Sequence, residues 1–414
     1  MKFFFPDSQD LVSPTYDFIH DEYSPLRVRQ RDDRYAHEVL DETPYDGMLV
    51  SKAIVDGSVK GSGKYSEPQR ARLYRLGVDK FFRLPKEVST LGDCGAFNYV
   101  DEDQPPYTVP EVLDFYIGCG FQEGVSIDHI ILAFDAEVTG KSVDPEWTRR
   151  QKISLDFAER FFDAAQQYSD RFVPVGSAQG WSPASYAESV AELQKMGYKR
   201  IALGGMVPLK TQDILASLRA IDEVRVRDTK LHLLGVTRCE AMDEFANHGV
   251  ASFDSTSPFR QSFMDDRKNY HTEQTEYVAV RVPQVDGNPT LKRAILAGKV
   301  SGRDAVAAER ETLERLRGLD SGEFSVNDAL EALANYENVA QAGAAKKKTY
   351  IEQYARTLGD APWRDCPCTL CRKHGIEIAI FRGTERNKRR GFHNLSVLER
   401  KMRTMAHRQD LEHL

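Results

Sequence analysis

Three thiols crowd one short stretch of the chain, Cys366-Pro-Cys368-Thr-Leu-Cys371, and two imidazoles follow at His374 and His393. Thiolates and imidazoles in a set of four hold zinc as a tetrahedron, and a set with no open position is structural rather than catalytic. Both His374 and His393 are candidates for the fourth ligand. A chance cluster of buried cysteines is the bland alternative, and an uncommon one. Aspartates form a second constellation. Asp93, Asp135 and Asp254 each stand at or just past the end of a β-rich run, and Gln179 and Gly204-Gly205 stand at comparable points. Any one of these carboxylates alone would more often cap a helix or sit in a loop. Gathered on one face, one of them can attack an anomeric carbon. Another can accept paired N–H donors from the edge of a planar heterocycle.

The elements that would gather them alternate along the chain. Apolar runs occur at Met48–Val50, Lys80–Phe82, Ser89–Leu91, Ile130–Phe134, Phe172–Val175, Ile201–Leu203, Leu231–Leu234 and Val250–Phe253. They are nearly continuous in apolar residues, as strands buried on both faces should be. Helical patterns lie between them. Ser182-Pro183 and Asp144-Pro145 each offer a cap followed by a proline suited to the first helical turn, and Gly197 can close the first of these helices. About eight strands alternating with helices predict an α/β fold, a closed (β/α)8 TIM barrel, with an open doubly wound sheet as the alternative. In a barrel the strand ends that carry the aspartates share one rim.

Residues 1–45, rich in Asp, Arg, Tyr and Pro, read as an N-terminal extension, and 46–300 as the catalytic barrel. Residues 301–358 read as a helical insertion: Ser325 precedes one helical run, and Glu309–Arg317 forms another with Gly318 placed to end it. Residues 359–414 form a zinc-binding, basic C-terminal region, in which Arg386, Lys388, Arg389 and Arg390 are predicted to hold a phosphate backbone. The chain has 414 residues and a formal net charge of -7, so a nucleic-acid surface must be a local patch. Its start is not patterned as a signal peptide, and no stretch is apolar enough to span a bilayer. Six cysteines in a chain of this size are not a disulfide scaffold and fit a reducing, cytoplasmic setting. Ser58–Tyr65 lacks the first glycine of a phosphate-binding loop and the Ser/Thr after its lysine, and is read as a mobile loop that can touch phosphate, not as a nucleotide site.

From about Asp93 to about residue 400 the strand ends resemble those of the tRNA-guanine transglycosylase family. The segments that carry the likeness are Leu91-Gly-Asp93-Cys-Gly-Ala-Phe97, Ala133-Phe-Asp135, Ala178-Gln179-Gly180 and Ala202-Leu-Gly-Gly205. Leu234-Gly-Val236, Phe253-Asp254-Ser-Thr-Ser-Pro258-Phe-Arg260 and the Cys-x-Cys-x-x-Cys with its later His393-Asn394 complete the series. Each piece is weak alone, and their order makes the set specific. The resemblance implies a barrel with a zinc site formed by Cys366, Cys368, Cys371 and His393. It implies Asp254 as nucleophile and Asp93 as general base or acid. Asp135, Gln179, Gly204 and Gly205 would hold the base, and Arg260 would contact substrate.

The implied reaction is a double displacement in which a guanine leaves and a free 7-deazaguanine enters through a glycosyl-aspartate intermediate. Where tRNA enzymes of the family carry a second arginine, this chain has Phe263; Lys210 replaces a glutamate, and Glu137 stands where small or sulfur-bearing residues are usual. The opening Met1–Gln9 and the helical 301–358 resemble the DNA-modifying branch, which places 7-cyano-7-deazaguanine (preQ0) in DNA and implies a partner ATPase. The alternatives are a tRNA-guanine transglycosylase and a non-catalytic nucleic-acid-binding subunit. The pairing of Asp93 with Asp254 argues against the latter, since binding alone needs neither.

Overall fold

The computed structural model describes residues 1–7, 9–57, 61, 63–138 and 142–412. Ser58, Val59, Lys60 and Ser62 of the loop weighed above as a phosphate binder lie outside them. The chain divides into two compact units. One comprises Met1–Gln9, Tyr45–Thr256 and Met402–Leu414, the other Asp10–Pro44 and Ser257–Lys401.

The first unit is a closed barrel of parallel strands, in the order β1 (Lys2–Pro6), β2 (Gly47–Ser51), β3 (Ser89–Asp93), β4 (Glu123–Val125), β5 (Val173–Ala178), β6 (Arg200–Leu203), β7 (Lys230–Leu233) and β8 (Val250–Asp254). Closure is made by β1, which pairs β2 on one side and β8 on the other, with Phe4 opposite Asp254. The open-sheet alternative is thereby excluded. Phe4, Leu49, Leu91, Val125, Val175 and Ala202 fill the interior as one buried cluster. Helices Val109–Cys119, Pro145–Ala165, Pro183–Met196 and Thr211–Asp222 follow the strands. Asp144 and Ser182 cap the second and third as their side chains suggested, and Gly197 closes the third in the left-handed region. Strand glycines let one ring approach closely: a Cβ at Gly92 or Gly124 would stand 2.3 or 2.4 Å from the Tyr116 ring.

Three expected elements are corrected. Lys80–Phe82 belongs to a short helix, Val78–Phe82, which begins after Gly77 at a positive φ of 78°. The fourth strand is Glu123–Val125, and Ile130–Phe134 runs on beyond it without a ladder. There the chain is satisfied by side chains instead: the His129 N–H donates to Ser154 Oγ and the Ile131 N–H to Gln179 Oε1. The first barrel strand lies in the segment read as an extension. Phe3, Phe4 and Phe5 are all buried, which is what a strand covered on both faces requires. The barrel thus starts at Lys2, not at residue 46.

In the second unit, helices Gly302–Ser321 and Val326–Ala340 pack together, with the Thr312 hydroxyl donating to Ala332 O at 3.1 Å. Ser325 caps the second helix through the Asp328 N–H. Gly318 does not end the first, which runs on to Gly322 at φ 84°. Gly318 makes room instead, because a Cβ there would meet the Phe324 ring at 2.2 Å. The helix Gly383–Glu412 closes the chain.

Candidate active site and metal centre

All eight strands are parallel, so their C-terminal ends form one rim. Asp93 ends β3, Asp254 ends β8, Gln179 follows β5, and Gly204-Gly205 follows β6. The barrel therefore places Asp93, Asp254, Gln179 and Gly204-Gly205 at strand ends on that rim, while Asp135 lies beyond β4 with its N–H bonded to Trp181 O, two residues past Gln179.

Asp254 is buried and held by two donors. Its Oδ1 accepts from the Gly235 N–H at 3.0 Å and lies 3.1 Å from His232 Nε2. Asp93 is half-buried, and its carboxyl is pushed up to about 7 by burial first, then by the charges of Asp128 and Asp254, against backbone N–H groups of Gly95 and Cys94 that favour the anion. Asp93 thus stands on the same rim as Asp254 in surroundings that favour its protonated form. A carboxyl raised in this way can carry a proton near neutral pH and give it to a leaving group.

The strand-end pattern missed Asp128. It lies just beyond β4, fully buried, and accepts from Ser177 Oγ at 2.9 Å and from Gln179 Nε2 at 2.5 Å. Burial pushes its carboxyl up to about 6 against those two bonds. Gln179 in turn accepts the Ile131 N–H at 3.2 Å, and the glycines leave it space: a Cβ at Gly204 would stand 2.0 Å from its Nε2. Gly205 has φ 72° and lies against Ile131 O, where a Cβ would be 2.4 Å away. Asp135, by contrast, is exposed. Its carboxylate accepts the Glu137 N–H at 3.0 Å, and its own N–H donates to Trp181 O at 2.7 Å. It stabilises a turn. The signal that could have found Asp128 is its place straight after Glu123-Gly-Val125. The more apolar Ile130–Phe134 drew the strand assignment forward.

Two more hydroxyls were not anticipated. Ser51, opposite Asp93 in the β2–β3 register, and Tyr99 carry buried oxygens with no hydrogen-bond partner among the described residues. Phe97, after β3, leaves about half its side chain exposed, at 53%. Such a rim offers an apolar face beside polar groups, as a planar base requires. Arg260 lies exposed in the helix Ser257–Met264 of the second unit.

The second unit gathers the metal candidates. Cys366, Cys368, Cys371 and His393 are all buried, and their ligand atoms lie within 4.8 Å of one another. The three sulfurs stand 3.5, 3.5 and 3.4 Å from His393 Nδ1. A zinc tetrahedron with Zn–S of about 2.3 Å and Zn–N of about 2.0 Å has S···N edges of about 3.5 Å. The donor set therefore fits zinc, with no position left open for a substrate. His393 Nε2 lies 2.8 Å from His271 O and donates to it, which frees Nδ1 as ligand. The Tyr270 ring stacks on His393 at 4.3 Å, with its hydroxyl 3.2 Å from Cys371 Sγ. His374, the rival fourth ligand, packs edge-on against Phe18 and is outside the cluster.

The expected phosphate-binding tail is corrected. Arg386, Arg389 and Arg390 are buried, at 1%, 2% and 0% exposure. Arg386 pairs with Asp21 and Glu377, Arg389 with Glu385 and Ser13 O, and Arg390 with the carbonyls of Ile378, Ile380 and Ser262. Lys388 lies 3.6 Å from Asp10. These cations tie the chain segment 10–44 to the last helix within the second unit. Arg386 and Lys388 pair with acids more than three hundred residues away in sequence, so local charge counting took the run for a free patch.

No family model matches the chain. A curated "DNA-guanine transglycosylase" of Salmonella montevideo is 48% identical over 401 residues, covering 96% of this chain and 95% of its own length. Among the described residues no helix is long and apolar enough to cross a membrane.

Proposed function

Since the chain belongs to the DNA-guanine transglycosylases, the DNA-modifying branch of the tRNA-guanine transglycosylase superfamily, we propose that it replaces a guanine of DNA with 7-cyano-7-deazaguanine through a covalent glycosyl-aspartate. The observation that carries this reading is the carboxylate rim, with Asp254 held by His232 and Gly235 and Asp93 pushed up to about 7. Asp254 attacks C1′ and the C1′–N9 electron pair leaves with guanine, which takes its proton from Asp93. The entering base returns its N9 proton to Asp93, forms the new bond to C1′, and releases Asp254 with configuration retained. Asp128 and Gln179 read the base edge, Asp128 taking the part first given to Asp135, and Gly204-Gly205 give the base room. Arg260 contacts the substrate strand.

The Cys366, Cys368, Cys371 and His393 set would hold zinc as a structural ion that fixes the fold around it. The target nucleotide is flipped out of the duplex, since C1′ is closed to attack inside the stack. A partner ATPase supplies the opening of DNA, and the reaction runs in the cytoplasm. Incubation of the protein with labelled guanine and, separately, DNA or tRNA tests the reading. Label enters DNA, and Asp254→Asn abolishes incorporation with folding intact. Label in tRNA alone would reverse the substrate in favour of the tRNA enzymes.

A further inference from the structure

His232 is the one polar side chain of β7 that is buried. It stands between two groups of β8, with Nδ1 2.9 Å from Ser252 Oγ and Nε2 3.1 Å from Asp254 Oδ1. The edge of the Phe4 ring from β1 packs against it at 5.8 Å. An ionised carboxylate can only accept, so the hydrogen of this bond sits on Nε2. Ser252 can then donate to the bare Nδ1, which fixes that tautomer. The Gly235 N–H reaches the same oxygen, Oδ1, at 3.0 Å. Among the described residues both donors fall on Oδ1 and none on Oδ2. The carboxylate is clamped by one oxygen and presents the other.

We propose that His232 is a positioning residue for the second half of the exchange: it holds Asp254 by Oδ1 so that Oδ2 attacks, and it stabilises Asp254 as the leaving group when the new base arrives. This rests on the covalent reading given above. In the first half an electron pair of Oδ2 forms the bond to C1′, and the C1′–N9 pair departs with guanine. Oδ1 becomes the carbonyl oxygen of an ester, a weaker acceptor than a carboxylate. In the second half N9 of the entering base, its proton passed to Asp93, bonds to C1′, and the C1′–Oδ2 pair returns to the carboxylate. Negative charge therefore reappears on Oδ1 as the C1′–Oδ2 bond breaks, and the Nε2–H bond strengthens in that transition state. Without it the intermediate forms but breaks down slowly.

Two amide replacements separate this role from simple packing. In His232→Gln the amide nitrogen is as many bonds from Cα as Nε2, so it keeps the donor to Asp254 and loses Ser252. In His232→Asn the amide stands where Nδ1 stood, so it keeps Ser252 and loses Asp254. The assay uses labelled DNA with one mismatched guanine and free guanine as the entering base. Turnover is followed, and quenched samples are run under denaturing conditions to measure the protein–DNA adduct. His232→Asn and His232→Phe should lose roughly 10- to 100-fold in kcat, the size of one hydrogen bond to a charged acceptor, with KM for DNA falling alongside as the adduct accumulates. Their adduct fraction should rise above that of the wild type. His232→Gln should stay within about 3-fold of wild type, with little added adduct. Equal losses in the Gln and Asn variants, or an adduct fraction that stays level or falls, would overturn the inference. An absence of adduct from every variant and from the wild type would instead overturn the covalent reading beneath it.

Discussion

Asp93→Asn offers a measurement of the rim's electrostatics that does not depend on turnover. The Asp93 carboxyl is pushed from 3.8 to about 7, chiefly by burial and then by Asp128 and Asp254. A carboxyl with its folded pKa above its unfolded one binds the proton more tightly in the folded state. Its contribution to stability is fully present below 3.8 and is lost as pH rises through about 7. Asparagine keeps the shape and cannot ionise, so the variant escapes that loss. At ~1.36 kcal/mol per pKa unit, integration from about pH 5 to about pH 8 gives the variant a growing advantage of at most about 2.6 kcal/mol, and relaxation of the site brings this to about 1–2.5 kcal/mol. Urea unfolding of both proteins at the two pH values measures it, because groups not coupled to Asp93 cancel in the difference. Activity reads the same group from the other side. An acid that must carry a proton for the leaving guanine makes wild-type kcat/KM for DNA level below about 7 and fall as pH rises above it. Stability curves for the two proteins that stay parallel across the window would refute the argument, since they would mean that Asp93 is ionised in the folded protein throughout.

Three further outcomes test the rest of the site. Asp128→Asn should cut guanine exchange by roughly 100-fold or more while Asp135→Asn stays within about 3-fold, because only the first is buried against Gln179; exchange assays on matched preparations decide it. Metal analysis should find about one zinc per chain, lost in Cys368→Ala and His393→Ala and kept in His374→Ala. Arg386→Met should destabilise the protein by about 3–5 kcal/mol, because it strands the buried carboxylates of Asp21 and Glu377, and should leave the salt dependence of DNA binding unchanged; a flattened salt slope with intact stability would restore Arg386 to the nucleic-acid surface.

What could be read from the sequence followed the reach of each signal. Asp254 and Asp93 were legible because each directly ends a run that is a strand, and closure of a parallel barrel puts such ends on one rim whatever the loops do. The thiol cluster was legible because most of its ligands are neighbours in sequence. Phe3–Phe5 was harder. Its strand is short, it is followed by polar and proline-rich chain, and its ladder partners lie at residues 47–49 and 252–254. A run that pairs only with distant strands carries no local mark beyond its own burial. Ile130–Phe134 shows the converse. Apolar content does not report hydrogen-bonding, and here the Ile131 N–H is satisfied by the Gln179 side chain instead of a ladder.

The misread arginines have the same root. A run of cations on one helix looks identical in sequence whether it faces water or acids from elsewhere. Asp10 and Asp21 stand more than three hundred positions before Lys388 and Arg386, so no local window could pair them. A phosphate-binding cation must stay within reach of solvent, whereas Arg386, Arg389 and Arg390 spend their donors on carboxylates and carbonyls inside the second unit. A guanidinium buried this way cannot be exchanged for lysine without losing its fork of bonds, which marks it as a structural clamp. Cations that hold the DNA must therefore be sought among exposed side chains of this chain, and Arg260, exposed and without a partner among the described residues, is where that search begins.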